Sequence, residues 1–248
     1  MAIDKSKVVT DITLELGEDE ISLTDFSKAV DSFVGLIKEV SKSVSPKKNA
    51  AGWTVQVYPG SAGIGLSGAN TFTATEVNAI RSAVLGGIDK LEHGIRSEWF
   101  SDKAIEHSRT LAGLFKKKSV QPSITILGGM NESKAITRNI SIKAGEILDP
   151  AYSEDGAIDG VLEKLSAHGG FNFVVYDPVD DRAIQCEVNE TLLDKAWKSW
   201  RKRVEVTGNV KYRRDGLAVS VRATDIFPFP DKENIPTLDQ LRSIFAAS

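Results

Sequence analysis

The alternation between residues 204 and 222 constrains this chain more than any other feature. Val204, Val206, Gly208, Val210 and Tyr212 share one parity, and Glu205, Thr207, Asn209, Lys211 and Arg213 share the other. A period of two is that of a strand with one buried face. Asp215-Gly216 follows, a dipeptide suited to a turn that needs positive φ. Leu217, Val219 and Val221 then alternate with Ala218, Ser220 and Arg222, which predicts the second arm of a hairpin. Gly208 stands mid-strand, where glycine marks a bulge or a sharp bend, and a bend there lets a short strand curl around a barrel.

The preceding residues extend this pattern. Residues 157–165, 171–176 and 182–188 read as three strands, with Asp177-Pro178 and Asp180-Asp181 in the turn between the second and third. Asn189 then caps a predicted helix holding Leu192, Leu193, Ala196, Trp197 and Trp200. Three strands, a helix and two strands is the order of an OB-fold. The tail begins with Phe227, Pro228, Phe229 and Pro230, and Leu238, Leu241 and Ile244 predict a short closing helix.

The first 148 residues have a different rhythm. Ile12, Leu14 and Leu16 alternate as a strand, and Leu23, Phe26, Val30, Phe33, Val34, Ile37 and Val40 recur at helical spacing behind a cap at Ser22 or Thr24. Trp53, Val55 and Val57 restart the strand period, Pro59-Gly60 turns it, and 62–66 returns. Helices are predicted over 75–92 and from about 101 to 115, then strands over 123–127 and 136–142. The order β-α-β-β-α-α-β-β implies an α+β domain with helices on one face of an antiparallel or mixed sheet, its strand order left open. Gly, Pro and acids over 143–155 place a boundary near there. The expected organisation is an α+β domain over 1–148, an OB-like five-stranded barrel over 149–230 and a tail with a short helix over 231–248.

Within the 248 residues, 41% are hydrophobic and 26% charged, ordinary for a globular protein. No apolar run approaches the roughly 20 residues that span a bilayer, so no membrane association is expected. The opening residues lack the apolar core of a secretory signal, and the single cysteine, Cys186, forbids an intrachain disulfide. Together these predict a cytoplasmic protein.

Two segments, GAIDGVLEKLSAHGGFNFVVYDPVDDRAIQCEV and KRVEVTGNVKYRRDGLAVSVRATDI, resemble the C-terminal part of a widespread group of uncharacterised bacterial proteins. WTVQVYPGSAGIGL is similar to phrases in the N-terminal part of that group. The resemblance covers most of the chain and implies no activity and no functional residues.

Catalytic constellations are sparse. Gly63, Gly65 and Gly68 spell G-x-G-x-x-G, with Asp89 about 20 residues on, the spacing of a dinucleotide fingerprint. Yet Ile64 and Leu66 alternate as a returning strand and the helix starts only near Thr75, so the glycines are assigned to a hairpin. His93, His107 and His168 fit no zinc spacing, and Cys186 alternates with Ile184 and Val188 as a buried small hydrophobe. Asp177, Asp180 and Asp181 cluster, but Asp-Pro turns form without any ion. No cofactor or metal and no catalytic role is expected.

Charge is more informative. Between 195 and 214 stand Lys195, Lys198, Arg201, Lys202, Arg203, Lys211, Arg213 and Arg214, against Glu205 alone. Between 154 and 194 acids predominate, opposed by Lys164 and Arg182. A barrel built from both segments is predicted to carry an acidic and a basic side. OB-folds bind single strands with basic grooves and stacking aromatics. That makes Lys211, Arg213, Arg214, Arg222 and Tyr176 candidate nucleic-acid-binding residues, with Phe171 a second stacking group. The alternative is a protein-interaction or structural module that docks a protein partner or a second copy, its two charge lobes pairing with each other.

Overall fold

The computed structural model describes residues 10–16, 21–46, 52–57, 63–68, 71–114, 123–126, 132–168 and 170–230. The chain divides into two compact units, Met1–Leu148 and Asp149–Ser248.

The first unit is α+β. Its five-stranded antiparallel sheet has the order β2 (Thr54–Val57), β3 (Gly63–Ser67), β1 (Ile12–Glu15), β4 (Ser123–Ile126), β5 (Glu132–Ala135). The first strand among the described residues is thus the central one, with Leu14 opposite Ile64 on one side and Ile124 on the other. Ile12, Leu14 and Leu66 share one core with the inner stripes of α1 (Leu23–Val44), α2 (Ala74–Glu92), α3 (Asp102–Leu114) and α4 (Arg138–Leu148). Ser22 caps α1 by accepting from the Asp25 amide at 3.1 Å. Thr73 and Glu76 close a capping box at the start of α2. Asp11 ties three elements together, accepting from Arg81 Nη2 of α2 at 2.7 Å and from the Gly68 amide beyond β3 at 2.9 Å.

The strand predicted over 136–142 is instead the start of α4, and the strand before it is Glu132–Ala135. Ile140 and Ile142 mimic a period of two. The stripe that wins is Ile140, Ala144 and Leu148 of α4, which is buried, while Ile142 is half exposed. The stretch 143–155, near which the boundary is expected, contains the rest of α4 and the start of the next strand, leaving 149–151 between them.

The second unit is a closed barrel of five strands: β6 (Tyr152–Ser166), β7 (Asn172–Tyr176), β8 (Ala183–Glu187), β9 (Arg203–Tyr212) and β10 (Ala218–Pro228). Around the barrel the order is β10-β8-β7-β6-β9, and β9 returns to β10. All pairings are antiparallel except β10 with β8. Phe173, Val175, Ile184, Cys186, Val204, Val206, Val210 and Val221 fill the interior. The alternation of β9 is realised, with Val204, Val206, Gly208 and Val210 inward. Along β10 it is broken. Ala218 pairs with Tyr212 and Ser220 with Lys211, so Val219 is an extra residue and Ala218, not Leu217, turns inward.

A second register shift falls between Ala223 and Asp225, opposite Gly208 and Thr207. There β10 lies so close that a Cβ on Gly208 would sit 2.1 Å from the Arg222 carbonyl oxygen. In the β9–β10 turn Gly216 has φ +81°, the conformation its dipeptide anticipated.

A 3-10 turn (Glu190–Leu192) and α5 (Leu193–Lys198) connect β8 to β9. Asn189 does not cap this turn with its side chain; its oxygen accepts from the Thr191 hydroxyl instead. The predicted tail helix lies outside the described residues. Among the described residues no helix is long and apolar enough to cross a membrane.

Candidate nucleic-acid interface on the barrel

Strand pairing decides where the charges go. The acidic segment supplies β6, β7 and β8, and the basic segment supplies β9, so acids and bases become neighbours across the ladder. Arg203 Nη2 meets Asp159 at 2.5 Å from β9 to β6. Lys195 reaches Asp225 of β10 at 2.6 Å, and Arg222 lies 3.8 Å from Glu187 of β8. Arg182 is 3.7 Å from both Asp177 and Asp180. The barrel therefore does not divide into one acidic and one basic side. The exposed pairs among these add little stability, but they cancel the field of the bases they engage.

The five candidate residues do not form one patch. Lys211 is exposed on β9 and faces outward between Ser153 and Ser220. Arg214 is exposed in the following turn. Neither has an ion pair among the described residues. Arg222 is outward on β10, between Asn209 and Glu187. Arg213, in contrast, is 8% exposed. The strand ends at Tyr212, and the Arg213 amide donates to the Leu217 carbonyl across the turn, so strand parity no longer sets its direction. Arg213 is withdrawn from the candidate surface. Beside it Tyr152 and Tyr212 stack at 5.4 Å. Burial first, then the Glu154 carboxylate and Tyr152, push the Tyr212 hydroxyl up from its ordinary pKa, so the ring stays neutral.

Tyr176 is half-buried and stands elsewhere. It pairs with Val161 of β6, which pairs on its other side with Arg203. Lys164 Nζ sits 5.6 Å from the Tyr176 ring centroid, and the hydrogen bond to Tyr176 holds that ammonium above its usual pKa. Phe171 is exposed in the turn before β7, as a stacking group requires.

Of the two tryptophans that the sequence places on the predicted helix, Trp197 is in α5 and Trp200 follows it, and both face solvent. Leu192 and Ala196 are buried, whereas Trp197 is 70% and Trp200 51% exposed, and their rings stack at 6.3 Å and 16°. Helical spacing identified the apolar residues of this segment; it carried no signal that α5 has only six residues and only one side to cover.

The remaining chemical candidates resolve into structural roles. Gly63 and Gly65 lie within β3, paired with Glu15 and Thr13 of β1, and Gly65 pairs also with Gln56 of β2. Asp89 takes a hydrogen bond from Lys134. Asp177 and Asp180 accept from the Val179 and Arg182 amides, and Asp181 takes φ +55°, so the acids shape their own turn. Among the described residues no group of three or more His, Cys, Asp or Glu is placed to hold a metal. His93 Nδ1 meets the Asp89 carbonyl at 2.8 Å, and His168 is exposed in a turn. Burial pushes the Cys186 thiol up to about 12, which makes it a packing group at neutral pH. An open cleft of about 320 Å³ in the first unit is lined by Asp11, Phe72, Ala74, Val77, Asn78 and Arg81, whose charged members already bridge β1 and α2.

No protein-family model matches this sequence, and no curated protein matches it. The site therefore rests on this chain's own geometry.

Proposed function

We propose that this is a non-catalytic binding protein whose barrel is OB-like and takes single-stranded nucleic acid on its outer surface. Two things support the OB-like reading. Numbered along the chain, the barrel strands run 1-2-3-5-4 around the closed wall, with the third and fifth parallel. The one helix among its described residues separates the third strand from the fourth. Barrels of this kind bind oligonucleotides. The observation that carries the ligand reading is the set of exposed bases without ion pairs among the described residues, Lys211 and Arg214 included, on a wall that also exposes aromatic rings. Bases of that kind attract phosphates by releasing counterions, and exposed rings stack with unpaired bases.

Fluorescence-anisotropy titrations with single-stranded DNA, single-stranded RNA and duplex DNA at two salt concentrations test the reading. Affinity for single strands should fall as salt rises. The Lys211→Glu, Arg214→Glu variant should bind more weakly, its salt slope lower by about one for each phosphate it no longer engages. An unchanged affinity and slope in that variant would remove Lys211 and Arg214 from the interface, and no binding to any of the three probes would remove the function.

A second reading, a docking module for a protein partner or a second copy, is favoured by the half-exposed Phe227 and Phe229. Large exposed apolar groups mark contact surfaces. A mass that rises with concentration in sedimentation, together with no oligonucleotide binding, is the outcome that selects it.

A further inference from the structure

One surface of the barrel unit combines three features that the ion-paired walls lack. Trp197 and Trp200 are the most exposed tryptophans described, and they present near-parallel rings. Lys198, Arg201 and Lys202 adjoin them in the chain, all exposed and without ion pairs among the described residues, whereas the flanking Lys195 and Arg203 are engaged by Asp225 and Asp159. The turn bearing the three bases is also held firmly. The Arg201 amide donates to the Leu162 carbonyl at 2.7 Å, and the Leu162 amide donates to the Lys202 carbonyl at 3.0 Å.

Arg201 itself has φ +61°, a left-handed conformation that glycine adopts without penalty and arginine does not. The fold thus spends backbone energy to keep a cation where glycine fits better. Strain held by a well-tied turn is a pointer to a site.

Building on the single-strand reading above, we propose that Trp197 and Trp200 form its base-stacking platform, with Lys198, Arg201 and Lys202 contacting the backbone phosphates. Cations flanking parallel indoles complement a polyanion that carries its own flat rings. A duplex hides those rings within its own stack, so the site selects unpaired strands. The surface continues along the barrel: Leu162 anchors the turn, and its neighbour Val161 pairs with Tyr176 and Arg203 on either side. The Phe229 ring lies 5.2 Å from the Arg203 guanidinium, and Tyr176 is two strand spacings, about 10 Å, from Arg203 across β6.

The test uses the full chain and a fluorescein-labelled oligo(dT) of about 16 nucleotides, the upper site size of such barrels. Trp197→Ala and Trp200→Ala should each weaken binding by about 10-fold, the value of one stacked base. Trp197→Phe, which keeps a ring, should lose less. The salt slope should stay at the wild-type value in the tryptophan variants and fall in Lys198→Glu, Lys202→Glu, because only the cations release counterions. Tryptophan emission should be quenched as the oligonucleotide binds, and a self-complementary duplex should bind more weakly.

Wild-type affinity in both alanine variants, with weaker binding in Lys211→Glu, Arg214→Glu, overturns the platform and leaves the barrel reading standing. Equal affinity for the duplex overturns the stacking role. Failure of the unaltered protein to bind the oligonucleotide removes the barrel reading and the platform together. A blue shift of emission on phosphatidylserine vesicles in that case reassigns the tryptophans to a lipid surface.

Discussion

Gly208 is the position where the barrel tolerates least. A Cβ built there meets the Arg222 carbonyl oxygen at 2.1 Å and the Ala223 Cα at 2.9 Å, both backbone atoms of β10 that cannot rotate away. Its φ of +156° is also one that L side chains rarely adopt. Overpacking of a filled interior costs about 1–3 kcal/mol, and backbone strain of this type costs about 1–3 kcal/mol. Gly208→Ala should therefore destabilise the unit by about 4 kcal/mol, a large share of the roughly 5–15 kcal/mol that holds a domain together. For a unit of 100 residues (149–248) this lowers the melting temperature by about 15–30 °C. Gly216→Ala is the control. Its φ of +81° is also glycine's, but nothing lies within 4 Å of the new Cβ, so it should cost about 1 kcal/mol from the backbone alone. Calorimetry on both variants separates contact from conformation. Equal losses in the two would refute the claim that close approach of β9 and β10 at the bulge limits the barrel.

Three other outcomes follow from the geometry. Arg201→Gly should stabilise the second unit by about 0.5–1 kcal/mol while weakening oligonucleotide binding, measured by urea titration and anisotropy on the same sample. Cys186 should ignore a disulfide reagent at pH 8 in the native protein and react once the barrel opens in denaturant, because burial holds its thiol near 12; a fast native reaction would contradict that burial. Glu39 loses solvent where α1 packs, which raises its pKa, but hydrogen bonds from Lys42 and Ser101 and the nearby cations outweigh this and hold its carboxyl below the ordinary value. A depressed carboxylate stabilises above its unfolded pKa and loses that contribution as pH falls through the folded one. Melting temperatures should therefore drop as pH falls through and below the ordinary carboxylate range, and Glu39→Gln should flatten that drop.

Much of the local structure could be read from periodicity, because a buried face imposes its spacing directly. The stripe of α1 and the inward valines of β9 are of this kind. Where two periods compete, spacing alone misleads. Ile140 and Ile142 suggest a strand, but Ala144 and Leu148 complete a helical stripe with Ile140 that is buried. The candidate site was less legible. Acid and base segments that are separate in sequence become neighbours across β6 and β9, a consequence of register that no local window contains. Arg213 is buried despite its outward parity, because its strand ends one residue earlier. Trp197 and Trp200 have core composition without a core to enter, and only the tertiary arrangement reveals that.

The parallel pairing of β10 with β8 has a bearing on incomplete chains. Ser220, Val221 and Arg222 supply the wall between β8 and β9, two strands that do not pair with each other. A product ending before Ala218 would leave both strands with bare amide and carbonyl rows and would open Ile184 and Cys186 to water. Unpaired edges of that kind recruit other chains. A truncated polypeptide should then aggregate rather than persist as a smaller barrel, so a premature stop anywhere in the last strand is a hazard to neighbouring molecules as well as a loss of function.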